Sequence, residues 1–209
     1  MKIVITAGGT REYIDPVRFI SNASTGKMGY ALAQAAIDAG NSVVLISAPV
    51  GLQPPIGIKL INVVSSEDMF EAVKEAFADA DCLVMAAAVS DYRPKNPSDV
   101  KIKKAQTPLT LHLEPTTDII KWAGENKAGR IIVGFALEDT DLFANAGNKM
   151  KAKNMDMIVA NSPEAISSNI SAVHLLVKGQ KWQSVPASQK SITAEIIIEK
   201  IEEIKQARS

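Results

Sequence analysis

The chain is 209 residues long and 46% hydrophobic, with 23 Lys+Arg balanced by 23 Asp+Glu. That length and apolar content support a full core, and zero net charge argues against a protein whose main work is gripping nucleic acid or an anionic membrane, since both select a basic excess. One cysteine, Cys82, and two histidines, His112 and His174, exclude an intramolecular disulfide and a multi-thiolate metal site and leave little material for a histidine-dependent triad.

Apolar β-branched runs alternate with helical patterns along most of the chain, the signature of a parallel α/β sheet. Ile3–Ile5 is read as a buried strand, followed by a long polar loop from Gly8 to about Ser24 and a helix over 26–39 stopped by Gly40. Strands are expected at 43–47 and 59–64, separated by a Pro/Gly-rich turn. Ser65 or Ser66 then caps a helix running to about Ala78, with Glu67 and Asp68 at its positive end. Residues 82–88 form the most apolar strand, expected at the sheet centre beside the first. This run is too short to span a membrane. Met1-Lys2-Ile3-Val4-Ile5 leads straight into Gly8-Gly9 without a signal-peptide pattern, so a cytoplasmic location is expected.

The rhythm breaks at Tyr92–Gln106, which holds prolines and five basic residues and is not expected in the core. Leu109–Leu113 alternates with period two, as a half-exposed strand does. A short helix at 117–126, a strand at 131–135, a helix at 142–153 and a strand at 157–160 follow. Residues 172–177 and 182–185 flank Lys178-Gly179-Gln180-Lys181 as a hairpin, and a helix over 192–205 closes the chain. The expected fold is a single α/β domain over 1–209. It has a Rossmann-like, mostly parallel sheet flanked by helices, a basic flap-like insertion and a C-terminal β-hairpin.

Neither standard nucleotide motif is present. A G-x-G-x-x-G fingerprint starting at Gly8 would need glycine where Thr10 and Tyr13 stand. A P-loop ending at Gly26-Lys27 would need glycine at Ser21 and a hydroxyl residue at Met28. Ser24-Thr25-Gly26-Lys27-Met28-Gly29 nevertheless opens a helix, whose free N–H groups suit an anion; an ordinary cap with close-packing glycines accounts for it equally well. Asn22, just before it, has the residue type of a turn. Ala86-Ala87-Ala88 let a ligand approach the backbone at a central strand's carboxyl end, where α/β folds place their sites, and Asp91 and Arg93 follow directly. Arg93, Lys95, Lys101, Lys103 and Lys104 are either a solvated face or a phosphate clamp. No nucleophile–base pair is visible, so any chemistry rests on positioning and charge neutralisation.

Taken together, Gly8-Gly9-Thr10-Arg11-Glu12, Asp15-Pro16-Val17-Arg18, Ile20-Ser21-Asn22, Ser24 to Gly29, Ala86 to Tyr92, Lys101-Ile102-Lys103-Lys104, Val133-Gly134-Phe135 and Asn154 to Asn161 resemble phosphopantothenate–cysteine ligase. The resemblance is to the bacterial CTP-dependent type, which corresponds to the C-terminal half of a bifunctional decarboxylase/synthetase. It implies that 4′-phosphopantothenate and L-cysteine are joined through an acyl-cytidylate in coenzyme A biosynthesis, with CTP, accompanied by Mg2+, converted to CMP and pyrophosphate. It assigns catalytic roles to Asn22 and Lys101, the latter on a flap over the nucleotide. Nucleotide contacts fall on Met85, Ala86, Ala87, Asp91, Lys101, Asp118, Ile119, Ile120, Phe135, Lys149 and Lys153. Phosphopantothenate contacts fall on Gly8, Gly9, Arg18, Asn22, Ser24, Thr25 and Gly26, with metal ligands unassigned. A homodimer is implied, with a flavin-dependent decarboxylase as a fused half or a separate partner.

Two departures stand out: Thr117 replaces a proline common before the aspartate at 118, and Asp139 replaces a threonine after Glu138. An NAD(P)-dependent oxidoreductase on the same sheet would lack its glycine spacing. A purely binding module would not require Asn22 and Lys101 together.

Overall fold

The computed structural model describes residues 1–138, 140–161 and 170–208; Asp139, one of the two departures above, lies outside them. Four apolar runs become the centre of one sheet: β1 (Lys2–Ala7), β4 (Ser42–Ser47), β6 (Cys82–Met85) and β9 (Ile131–Leu137). With β5 (Lys59–Asn62), β10 (Met157–Asn161), β11 (Ile170–Val177) and β12 (Gln183–Gln189) they give an eight-stranded order β12-β11-β10-β9-β6-β1-β4-β5. The six strands from β10 to β5 are parallel, and β11 and β12 add an antiparallel edge. This is the Rossmann-like sheet with a terminal hairpin, and β6 lies beside β1 as its uninterrupted apolar run implies.

Alternation sorts each strand's side chains into two layers. Ile3, Ile5, Leu45, Val84 and Val133 point to one face, where α1 (Lys27–Asp38) contributes Leu32 and Ala36 and α5 (Lys190–Gln206) contributes Ile197 and Ile201. Val4, Ile46, Leu83 and Ile132 point to the other, under α2 (Ser66–Phe77), α3 (Ile119–Glu125) and α4 (Leu142–Ala152). Burying a strand side chain such as Ile3 or Leu83, each 0% exposed, contributes roughly 1.5–3 kcal/mol. Ser65 caps α2 in a capping box with Asp68, so the first of the two candidate serines is the cap.

Several boundaries differ from expectation. The strand expected at 82–88 ends at Met85, because the Ala87 N–H leaves the ladder to donate to Thr6 Oγ1 at 3.1 Å. The loop at 8–24 contains a small antiparallel pair, β2 (Arg11–Tyr13) and β3 (Phe19–Ser21). The strand expected at 109–113 is instead β8 (Leu113–Pro115), paired with β7 (Tyr92–Pro94), which opens the basic segment where no strand was expected. Arg93 binds Glu114 at 3.0 Å and Glu67 at 3.3 Å, so side-chain ion pairs fix this short ribbon where apolar pattern does not. The strand at 59–64 stops at Asn62, and the C-terminal hairpin and helix run longer than expected.

Candidate functional site

Chain order runs outward from β1 to β4 and β5, then returns to β6 on the other side of β1. The carboxyl ends of β1 and β6 therefore flank the point where strand order reverses, the place where open α/β sheets hold ligands. Beyond the ladder the two chains stay joined by a bridge between Gly9 and Ala88, with the Ala88 N–H donating to Gly8 O at 2.8 Å. Thr10 and Ser90, both buried, brace this floor: the Ser90 N–H donates to Thr10 Oγ1 at 2.9 Å.

Over that floor lies a cleft of about 570 Å³. Its first wall is the loop from Asn22 to Gly29. Asn22 Nδ2 donates to Val89 O at 3.0 Å and Ala88 O at 3.4 Å, tying this loop to the segment after β6. A Cβ on Gly9 would stand 2.7 Å from Asn22 O, so only glycine lets the two loops approach this closely. Gly26 adopts φ 74° as the N-cap of α1 and no side chain caps that helix. Gly26, Lys27, Met28 and Gly29 at this helix start line the cleft, and the Gly26 N–H donates to Ser24 Oγ at 3.3 Å. A Cβ on Gly29 would meet Ala7 Cβ at 2.6 Å, so close packing and an open helix end coexist here.

The second wall comes from the opposite layer. Asp118 caps α3 by accepting the Lys121 N–H at 3.1 Å, and its other oxygen meets Lys153 at 2.8 Å. Met85, Ala86 and Ala87, then Asp91, Ile119 and Ile120, and Phe135, Lys149 and Lys153 all line the cleft, as do Asn22, Ser24, Thr25 and Gly26. Residues far apart in sequence thus line one cleft.

Four expected residues do not line it. Gly8 and Gly9 lie beneath, shaping the floor. Arg18 turns away: its guanidinium pairs with buried Asp15 and donates to Ile102 O at 2.8 Å. Asp15 Oδ2 in turn accepts the Ile102 N–H at 3.1 Å. This clasp holds the basic segment against the β2–β3 turn, and Lys101 with it, so Lys101 stands outside the cleft of its own chain. Arg18 and three backbone N–H groups hold the Asp15 carboxyl well below the usual carboxylate range.

Two lysines outside the expected contact residues also line the cleft. Lys27 opens α1 and Lys190 opens α5. Burial lowers the Lys190 pKa, and the charge of Lys27 adds to the effect. The one available signal was a cation at a helix start, where the dipole disfavours it. Cys82 is wholly buried and its thiol is pushed well up by desolvation, which excludes it from chemistry. Among the described residues no group of three or more His, Cys, Asp and Glu converges as a metal site, and no helix is long and apolar enough to cross a membrane.

Comparison with known proteins gives this geometry a family. Residues 1–204 match the model of the DNA/pantothenate metabolism flavoprotein C-terminal domain. The coenzyme A biosynthesis bifunctional protein CoaBC of Bacillus subtilis (strain 168) is 50% identical over 171 residues, covering 81% of this chain and 42% of that protein. Its counterpart in Vibrio cholerae serotype O1 is 39% identical over 209 residues, covering 97% of this chain and 52% of that protein. The chain therefore spans about half the length of the curated relatives it matches. The crystal structure of the C-terminal domain of a CoaBC protein superposes with a TM-score of 0.86 at 39% identity, covering 99% of this chain and 96% of that one. Near full-length agreement in both sequence and fold places this chain in the DNA/pantothenate metabolism flavoprotein C-terminal domain family.

Proposed function

We propose that this chain is a ligase that joins 4′-phosphopantothenate to L-cysteine at the expense of CTP. The observation that carries the reading is the convergence of Asn22, the uncapped start of α1 and cationic side chains from both layers on one cleft. In the first step a carboxylate oxygen of phosphopantothenate attacks the α-phosphorus of CTP. The O–P bond to the β-phosphate breaks and pyrophosphate leaves, giving an acyl-cytidylate. In the second step the cysteine amine attacks the acyl carbon, the C–O bond to phosphate breaks, CMP leaves, and the amine proton passes to solvent. A carboxylate is already ionised at neutral pH, so the first step needs no general base. Charge on the phosphates is what has to be stabilised, and lysines with first-turn N–H groups are suited to that.

The nucleoside is expected against Met85, Ile120 and Phe135, with Asp91 and Asp118 at its polar edge. The substrate's acyl end is expected at Asn22, whose amide now donates to Ala88 and Val89 and would redirect one N–H to the acyl carbonyl. Magnesium neutralises part of the triphosphate charge. With Asp91 and Asp118 the only carboxylate residues at the cleft among the described residues, and Asp118 held by Lys153, an ion carried by the triphosphate fits better than an all-protein cage.

A homodimer belongs to the same reading. Tyr13, Val17, Phe19 and Tyr92 leave large apolar surface exposed on the two small ribbons, a pattern that marks contact surfaces. Arg18 and Lys101, outside their own cleft, would be completed by a neighbouring copy. The reaction is placed in the cytoplasm, where CTP is made, next to or fused with a flavin-dependent decarboxylase that consumes the product.

Ligand-induced stabilisation tests the binding half of this reading. At one hundred times Kd, CTP should stabilise the chain by about 2.7 kcal/mol, or roughly 5–11 °C at this size. Stabilisation by NADH and not by CTP would replace the ligase with an oxidoreductase.

A further inference from the structure

Asn22 is exposed, so close packing does not orient its side chain. Two carbonyls do: the amide donates to Val89 O at 3.0 Å and to Ala88 O at 3.4 Å. Both lie past Met85, where β6 ends and the sheet ladder no longer fixes the backbone. Bonds from the loop after β1 hold them instead. The Ala88 N–H donates to Gly8 O at 2.8 Å, and the Thr10 N–H donates to Ala88 O at 3.4 Å. The Ser90 N–H donates to Thr10 Oγ1 at 2.9 Å, and the Thr10 hydroxyl donates to Ser90 Oγ at 3.3 Å.

Thr10 is wholly buried and does not line the cleft, so it meets no substrate itself. Its hydroxyl serves Ser90 as acceptor and as donor at once. From the opposite wall, the Thr116 hydroxyl donates to Ser90 O at 2.6 Å and the Thr116 N–H to Asp91 O at 2.9 Å. Residues 88–91 are thus a hub to which Thr10, Asn22 and the wall around Asp118 are all tied. Ala88 O has two donors, Asn22 and the Thr10 N–H. When Asn22 turns one N–H toward an acyl carbonyl, Thr10 remains on Ala88 O and no acceptor is orphaned. Val89 O meanwhile keeps the amide in place.

We propose that Thr10 is a positioning residue for the reaction: through Ser90 it fixes the Ala88 and Val89 carbonyls, and they hold the Asn22 amide where the acyl carbonyl arrives. This rests on the reading of Asn22 as the group that meets the substrate's acyl end. A donor to the oxygen that gains charge during attack by the cysteine amine must be placed within roughly 0.5 Å. An error in the place of the two carbonyls is therefore passed on to the transition state.

The test compares Thr10→Val, which keeps the shape and removes the hydroxyl, with Thr10→Ser, which keeps the hydroxyl, in wild-type and Asn22→Asp backgrounds. Amide formation, CTP affinity by calorimetry and Tm are measured for each. Thr10→Val should lower turnover about 10–100-fold, with Kd for CTP within about threefold of wild type and Thr10→Ser recovering most of the turnover. In the Asn22→Asp background it should cost less than about threefold more, because residues that act as a unit are not additive. A lowered Tm with turnover kept would make Thr10 a structural brace and overturn the proposal. So would losses that multiply in the double variant, or a loss of CTP affinity as large as the loss of turnover. Should Thr10→Val fail to fold, Thr10→Cys, with a weak sulfur acceptor in place of the hydroxyl, takes its place under the same outcomes. The Asn22 side-chain signals in a nitrogen–proton correlation spectrum, identified by their absence from Asn22→Asp, give a readout independent of turnover. They should shift in Thr10→Val and return in Thr10→Ser, and unmoved signals would overturn the proposal. If wild-type protein forms no amide, signals that move in this way would support the placement of Asn22 by Thr10 and remove the ligase reading instead.

Discussion

Replacing Gly29 with alanine probes the coupling between packing and the site at a single atom. The added Cβ would stand 2.6 Å from Ala7 Cβ, 2.9 Å from Thr6 O and 3.1 Å from Ala7 Cα, all on the central strand β1. Carbon atoms prefer about 3.5–4.0 Å, so α1 must retreat by roughly 1 Å. Such overpacking costs about 1–3 kcal/mol, offset by about 1 kcal/mol of helix propensity gained over glycine. The net loss of up to roughly 2 kcal/mol lowers Tm by up to about 8 °C in a chain of this size. The start of α1 moves with the helix, and a shift of about 1 Å in substrate-positioning groups can cost around a hundredfold in rate. Gly40→Ala is the control: Gly40 has φ +78° with nothing within 4 Å of a built Cβ. It should lose a similar ~1–2 kcal/mol through left-handed backbone strain yet keep CTP affinity and turnover. Differential scanning fluorimetry with steady-state amide formation reads both. The reasoning fails if Gly29→Ala keeps wild-type turnover, or if Gly40→Ala loses as much of it.

Asn22→Asp places a carboxylate against the Ala88 and Val89 carbonyls that the amide now serves. Turnover should fall about 10²–10³-fold, the effect of losing one well-placed donor, while CTP affinity stays within about threefold; unchanged turnover would remove Asn22 from the chemistry. Asp15, whose folded pKa lies below its ordinary 3.8, contributes stability that is present above that pH and lost as pH falls through the folded value. Asp15→Asn should flatten the acid limb of a Tm-versus-pH curve, and a variant curve parallel to wild type would contradict the clasp. The same variant loosens Ile102, so trypsin should cut sooner after Lys101, Lys103 and Lys104; equal digestion rates would mean other contacts hold that segment.

The central sheet was legible because runs such as Val43–Ser47 and Ile131–Phe135 are buried on both faces, and burial on both faces leaves an uninterrupted apolar run. The cleft's position followed from the small residues Ala86–Ala88 at the end of such a run. The ribbons β2–β3 and β7–β8 were not legible: each strand has three residues, β7–β8 is tied by the Arg93–Glu114 ion pair, and β2–β3 by Phe19 packed against Tyr13 and Arg11. Lys101 was placed over the nucleotide, whereas the clasp between Asp15, Arg18 and Ile102 holds its segment elsewhere. A clasp of this kind joins residues 84 or more positions apart, so no local pattern announces it. Lys190 escaped notice because a lysine beside Ser191 at the start of an amphipathic helix reads as surface, and only the packing of α1 and α5 on one face of the sheet brings it to Lys27.

Pyrophosphate release with magnesium, comparing CTP and ATP in the presence and absence of 4′-phosphopantothenate and cysteine, tests the central claim most directly. The account predicts release with CTP that requires phosphopantothenate, and an amide product once cysteine is added. Folded protein that releases no pyrophosphate from either nucleotide under these conditions would contradict it.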